Sequence, residues 1–134
     1  KMELSGQTLD ARKFSLSALA GDVVLIHYWA TWCEPCKQDM QLIREMQNRY
    51  AKSGFTPVGV NLDATASAAA AYVREKRLPW AHLYEEGGLE SRFANEMGIL
   101  SLPTMILLDS QGRIVNRNIH AAELETELKK LLKK

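Results

Sequence analysis

From Val23 to Ala30 the chain reads Val-Val-Leu-Ile-His-Tyr-Trp-Ala, an almost continuous apolar run rich in β-branched and aromatic residues. Such a run is typical of a central strand covered on both faces. From Cys33 the periodicity changes. Met40, Ile43, Met46 and Tyr50 recur with Lys, Gln, Glu and Arg between them, which is the pattern of an amphipathic helix. Pro35 suits the first helical turn, where its missing N–H is not needed, and Gly54 ends the helix. Phe55–Leu62 reads as the next strand, and Pro57 near its start predicts an outer position in the sheet. Strand, helix and strand make a βαβ unit with an expected right-handed crossover. The chain is therefore expected to be an α/β protein.

The junction between the first strand and the helix carries the chemistry. Its residues are Trp29-Ala30-Thr31-Trp32-Cys33-Glu34-Pro35-Cys36. A thiol at a helix N-terminus faces unpaired backbone N–H groups and the positive end of the helix dipole, which favour the thiolate. The thiolate is the reactive form, and a C-x-x-C arrangement commonly lowers a thiol pKa below about 8.5. Cys36, one turn on, is near enough to close a disulfide with Cys33. A bond across so short a loop adds little stability by loop entropy, so the pair points to chemistry: a reversible dithiol/disulfide switch.

The rest of the chain supplies further elements. Met2-Glu3-Leu4 and Phe14-Ser15-Leu16 read as short edge strands or turns, and Ser15 to Ala20 as one helical turn. Asp63–Lys76 is alanine-rich and helical, with Tyr72 and Val73 facing inward and Leu78-Pro79 stopping it. Trp80–Tyr84 is a short strand or irregular segment. Leu89, Phe93 and Met97 recur every four residues, so 88–97 is a short helix capped by Gly98. Met105–Asp109 and Arg113–Asn118 flank Ser110-Gln111-Gly112, a hairpin signal. Ala121–Lys133 closes the chain as a helix with lysines in its last turns.

At 134 residues the chain has room for one domain with a real core. Its net charge of +1 points to no nucleic-acid or acidic-membrane partner. The apolar runs are too short for a transmembrane helix, and no signal peptide is legible. The first residue is Lys1 rather than Met, so a signal, an anchor, a further domain or part of a tag is expected upstream. Two cysteines are too few for a disulfide-scaffolded fold.

Three stretches together resemble a known family. Ala30-Thr31-Trp32-Cys33-Glu34-Pro35-Cys36 looks like the active-site signature of thioredoxin-like proteins, and its wording most resembles the TlpA/ResA-like thiol-disulfide oxidoreductases. Ser101-Leu102-Pro103-Thr104, just before a strand, is similar to the family's cis-proline loop. Asp109-Ser110-Gln111-Gly112-Arg113-Ile114 is similar to its terminal hairpin. The resemblance spans essentially the whole chain. It implies a thioredoxin-like fold over residues 1–134 as a single domain, with a central mixed β-sheet flanked by helices. It also implies an extracytoplasmic setting, periplasmic or membrane-tethered in bacteria, where such proteins keep other proteins' cysteines reduced, often for cytochrome c biogenesis.

The mechanism expected is disulfide reduction or isomerisation through a Cys33/Cys36 cycle. Cys33 is the exposed nucleophile and Cys36 the shielded resolving thiol. Trp32, Glu34, Pro35, Leu102 and Pro103 are the candidate substrate-binding residues. Trp32 offers an aromatic platform, and the Leu102 backbone, beside a cis Pro103, offers a strand edge. His27 stands where thioredoxin itself resembles a buried aspartate, and is expected to accept the Cys36 proton. The partners are protein substrates with disulfides or thiols and an upstream dithiol reductant, with the chain acting as a monomer and needing no organic cofactor or metal. Glu34 sets a negative charge between the thiols, which opposes thiolate stabilisation and predicts a reductant rather than a strong oxidant.

The same residues admit other readings. Zinc usually takes four ligands, while His27, His82 and His120 are far apart in sequence, which leaves a metal-carrying or redox-inert binding module as a weaker alternative. A thiol peroxidase would need a peroxide pocket, for which Thr31 and Arg113 are the imaginable groups. Trp29, Trp80, Tyr84 and Phe93 read as core packing.

Overall fold

The computed structural model describes residues 2–85, 88, 91–99 and 101–132. An N-terminal hairpin, β1 (Ser5–Gln7) and β2 (Lys13–Ser15), leads through a 3-10 turn at Leu16–Leu19 into β3 (Val23–Trp29). Helix α1 (Glu34–Tyr50) and β4 (Phe55–Asn61) follow, then α2 (Ala66–Lys76), β5 (His82–Tyr84) and α3 (Arg92–Met97). Strands β6 (Thr104–Leu108) and β7 (Ile114–Asn116) and helix α4 (Ala121–Leu132) complete the chain. Leu89 and Lys133, and the side chains of Phe93 and Met97, lie outside what is described.

The main sheet has the order β5-β4-β3-β6-β7. Strands β3, β4 and β5 run parallel, while β6 is antiparallel to both β3 and β7. Every residue of β3 is buried, as its continuous apolarity predicts. Alternation splits the core in two. Val23, Leu25 and Trp29 face Met40, Ile43 and Met46 of α1, Ala69 of α2, and Leu124 and Leu128 of α4. Val24, Ile26 and Tyr28 face the opposite side, where Met2, Leu4, Leu16, Ala94 and Ile99 cover them. Among the described residues, no helix is long and apolar enough to cross a membrane.

One expectation is corrected. Strand β4 is not an outer strand but lies between β5 and β3. The register explains how it holds a proline. Strand β5 has only three residues and pairs with Gly59–Asn61, where the Gly59 N–H donates to Ala81 O at 2.8 Å. Pro57, two residues earlier, turns its ring nitrogen to the same side but below the end of β5, where no N–H is required. The lower half of β4 is thus an edge and the upper half is interior.

Candidate active site

Cys33 is the N-cap of α1, with extended backbone angles (φ −100°, ψ 100°), and Pro35 occupies the first turn. The Cys36 N–H donates to Cys33 Sγ at 3.2 Å, so the sulfur takes one of the orphan donors of the helix end. The two cysteines form a disulfide, with Cα atoms 5.3 Å apart. Both cysteines are buried, Cys33 at 5% exposure and Cys36 at 0%. Cys33 is thus buried rather than openly exposed, because the N-cap folds its sulfur back over the first turn. Trp32 beside it is 61% exposed, and Glu34 and Pro35 are exposed too.

The loop before β6 lies at the same end of the sheet. Thr104 pairs with Tyr28, near the end of β3 that leads to Cys33. The Leu102–Pro103 peptide is cis, and Leu102 is half-buried and packs on both halves of the core. The fold thus collects Trp32, Cys33, Glu34, Pro35, Leu102 and Pro103 at one end of the sheet. A groove of about 710 Å³ starts beside them at Glu34 and Lys37 and runs between α1 and α2 to Tyr72 and Glu75. Lys37 Nζ sits over the Tyr72 ring, 5.3 Å from its centroid, and Tyr72 in turn packs against Trp29 at 5.7 Å.

Other pairings do not form. Arg113 lies in the turn after β6 and bonds Asp109 at 3.1 Å, at the far end of the sheet, since Leu108 pairs with Val24 at the start of β3. It is therefore remote from Thr31, and these two residues do not form a common pocket. Among the described residues, no group of three or more His, Cys, Asp or Glu side chains is placed to hold a metal. Trp29 and Trp80 are core. Tyr84 is only half-buried and donates its hydroxyl to Ala64 O at 2.9 Å.

His27 lies on the same sheet face as Leu25, Trp29 and the Cys36 side of α1, and is fully buried. Burial, with His82 nearby as a lesser cause, lowers its pKa to about 3. Burial favours the neutral ring, and the same burial makes it a weak base. Asp39 is a further candidate, one that the sequence reading did not single out. It stands three residues after Cys36, where side chains of one helix face are neighbours. It is half-buried, and that desolvation raises its pKa against the opposing pull of His120. The legible signal was an acidic residue in a helix otherwise apolar on that side.

Comparison with known proteins bears on this site. The family model described as Redoxin matches residues 2–132. The thiol-disulfide oxidoreductase ResA of Bacillus thuringiensis subsp. konkukian is 27% identical over 126 residues, covering 94% of this chain and 70% of the relative. The thioredoxin-like protein YneN of Bacillus subtilis is 30% identical over 125 residues, covering 91% and 69%. A solved thiol-disulfide oxidoreductase from Bacteroides fragilis superposes with a TM-score of 0.86 at 30% identity, covering 97% of each chain. A thiol:disulfide interchange protein of the thioredoxin family from Chlorobium tepidum has a TM-score of 0.80 at 22% identity, covering 97% and 93%, and shares the fold.

Proposed function

The chain belongs to the Redoxin family and is a TlpA/ResA-like thiol-disulfide oxidoreductase, and from that premise we propose that Cys33 is its attacking thiol and Cys36 its resolving thiol. The observation that carries this is the place of Cys33 at the N-cap of α1, with Cys36 fully buried one turn behind it. Reduced Cys33 thiolate attacks one sulfur of a substrate disulfide. That S–S bond breaks, a mixed disulfide forms, and the departing thiolate takes a proton. Cys36 then loses its proton and attacks Cys33. The substrate leaves as a dithiol, reduced by two electrons, and the Cys33–Cys36 disulfide closes. A second dithiol protein returns the two electrons.

Asp39, one helix turn from Cys36 and with its pKa raised by burial, is a candidate acceptor for the Cys36 proton. His27 is the alternative acceptor assigned from sequence. Trp32, Glu34 and Pro35 form one wall of the substrate surface. The Leu102 backbone beside Pro103 forms the other, offering a strand edge to an extended segment. The chain acts as a single domain and a monomer, in the reducing or isomerising direction. It works in an extracytoplasmic compartment, as the resemblance to TlpA/ResA-like proteins implies, on cysteine pairs such as those of cytochrome c biogenesis.

The test is trapping. In the reduced protein near neutral pH, iodoacetamide alkylates Cys33 before Cys36, and a Cys36→Ser variant accumulates substrates as mixed disulfides. Equal alkylation of both thiols, or trapping by Cys33→Ser instead, contradicts the assignment.

A further inference from the structure

The β3–β4 ladder ends in a side chain. Leu62 N–H donates to Trp29 O at 2.8 Å, and a parallel ladder would continue from Thr31 N–H to the Leu62 carbonyl. It does not. Thr31 N–H donates to the carboxylate of Asp63 instead, at 3.0 and 3.2 Å, and the Thr31 hydroxyl donates to the same group at 2.7 Å. The Leu62 carbonyl lies against Gly88, so close that a Cβ there would sit 2.9 Å from it.

The carboxylate is itself held. Asn61 Nδ2 donates to Asp63 Oδ2 at 2.7 Å, and the Asp63 N–H donates back to Asn61 Oδ1 at 2.9 Å. Asn61 is fully buried and Asp63 nearly so. Both polar side chains are thereby satisfied in a place where leaving one unpaired would be costly. The clasp grips the first residue after a tight turn begins: Cys33 N–H donates to Ala30 O at 3.1 Å, so Thr31 and Trp32 are the turn's central residues.

We propose that Asp63 is a positioning residue for the Cys33 reaction. By ending the ladder at Thr31, it sets the Ala30–Cys33 turn that points Trp32 outward and holds Cys33 Sγ over the N-terminal N–H groups of α1. This rests on Cys33 being the attacking thiol. Asp63 exchanges no proton with substrate here; it acts through Thr31. Three roles make different predictions. A positioning role means that losing the clasp lets Sγ drift from the helix end, so the Cys33 pKa rises. A bare nearby charge means that losing it makes the thiolate easier to form, so the pKa falls. A purely structural role lowers stability and leaves the pKa unmoved.

The experiment is the rate of iodoacetamide alkylation against pH, assigned to Cys33 by peptide mass, on the reduced full chain. Glu34 and Lys37, the charged groups nearest Cys33 in sequence, stay unchanged in every variant. Asp63→Ala is expected to raise the Cys33 midpoint by about half a pH unit, roughly threefold less thiolate at neutral pH. The double variant Asn61→Asp/Asp63→Asn keeps the 61–63 pair and one oxygen for Thr31, with an amide nitrogen in place of the oxygen that accepts both from Asn61 and from the Thr31 N–H, and is expected to bring the midpoint part of the way back toward the wild-type value. If Asp63→Ala does not fold, Thr31→Val, which loses only the hydroxyl bond, should give a smaller rise in the same direction. An unmoved or lowered midpoint in folded Asp63→Ala or Thr31→Val overturns the proposal. Failure of the underlying assignment is read separately, in the wild type, as alkylation of Cys36 first.

Discussion

His27 and His82 stand in one row of the sheet with only Gly59 between them. Gly59 has no side chain, and His82 leans into that space: a Cβ on Gly59 would collide with His82 Nδ1. The His82 ring packs edge-on against Trp29, 5.4 Å between centroids, and beside Trp80 at 5.6 Å. Neither imidazole has a hydrogen-bond partner among the described residues.

That row is expected to make the fold acid-sensitive. Burial lowers the pKa of both histidines to about 3, whereas the unfolded chain titrates near 6.5. Between those values the unfolded chain binds more protons, so stability is complete above about pH 6.5 and is lost as pH falls toward 3. The expected loss between pH 7 and pH 5 is about 2 kcal/mol for each histidine. Denaturant midpoints at the two pH values measure it. His82→Phe should remove about half of the difference, and an unchanged pH dependence in that variant would show that His82 is not buried neutral.

The pair is expected to be reducing. Glu34, exposed beside Cys33, places negative charge near the thiolate and favours the disulfide form. A potential near that of thioredoxin, about −270 mV, is expected from equilibration with glutathione or a thioredoxin couple. Glu34→Gln should move it upward. A wild-type value near −120 mV, that of the strongest oxidants, would contradict this.

Trp32 is expected to serve binding rather than thiol chemistry. It is the largest side chain left open beside the cysteines, and exposed aromatics often anchor partners. Trp32→Ala should raise the KM for a protein disulfide by about tenfold, equivalent to about 1.4 kcal/mol. Its rate of Cys33 alkylation should stay near the wild-type value. Loss of both together would mean that Trp32 instead shapes the turn.

The proton step separates two residues. Asp39→Asn is expected to slow closure of the mixed disulfide by about tenfold or more and to flatten its pH dependence. His27→Asn should change it little if Asp39 takes the proton. Rapid-quench measurement of substrate release from the mixed disulfide decides. A slow His27→Asn with a normal Asp39→Asn returns the role to the imidazole.

Local pattern settles much of this protein. The period of the residues from Val23 to Tyr50 determines a buried strand followed by an amphipathic helix, because side-chain alternation and the helical repeat are properties of consecutive residues. The same stretch places Cys33 at a helix end, where a thiol is expected to be reactive. Which segments become neighbours is decided elsewhere. Pro57 marks an edge locally, yet β4 is interior wherever β5 reaches it. Asp63 is an ordinary loop residue until the β3–β4 register brings it to Thr31, and His82 is 55 positions from His27 until two parallel pairings align them across Gly59. Contacts between distant segments depend on strand order and register, which reflect the packing of the whole core rather than the preferences of any short stretch.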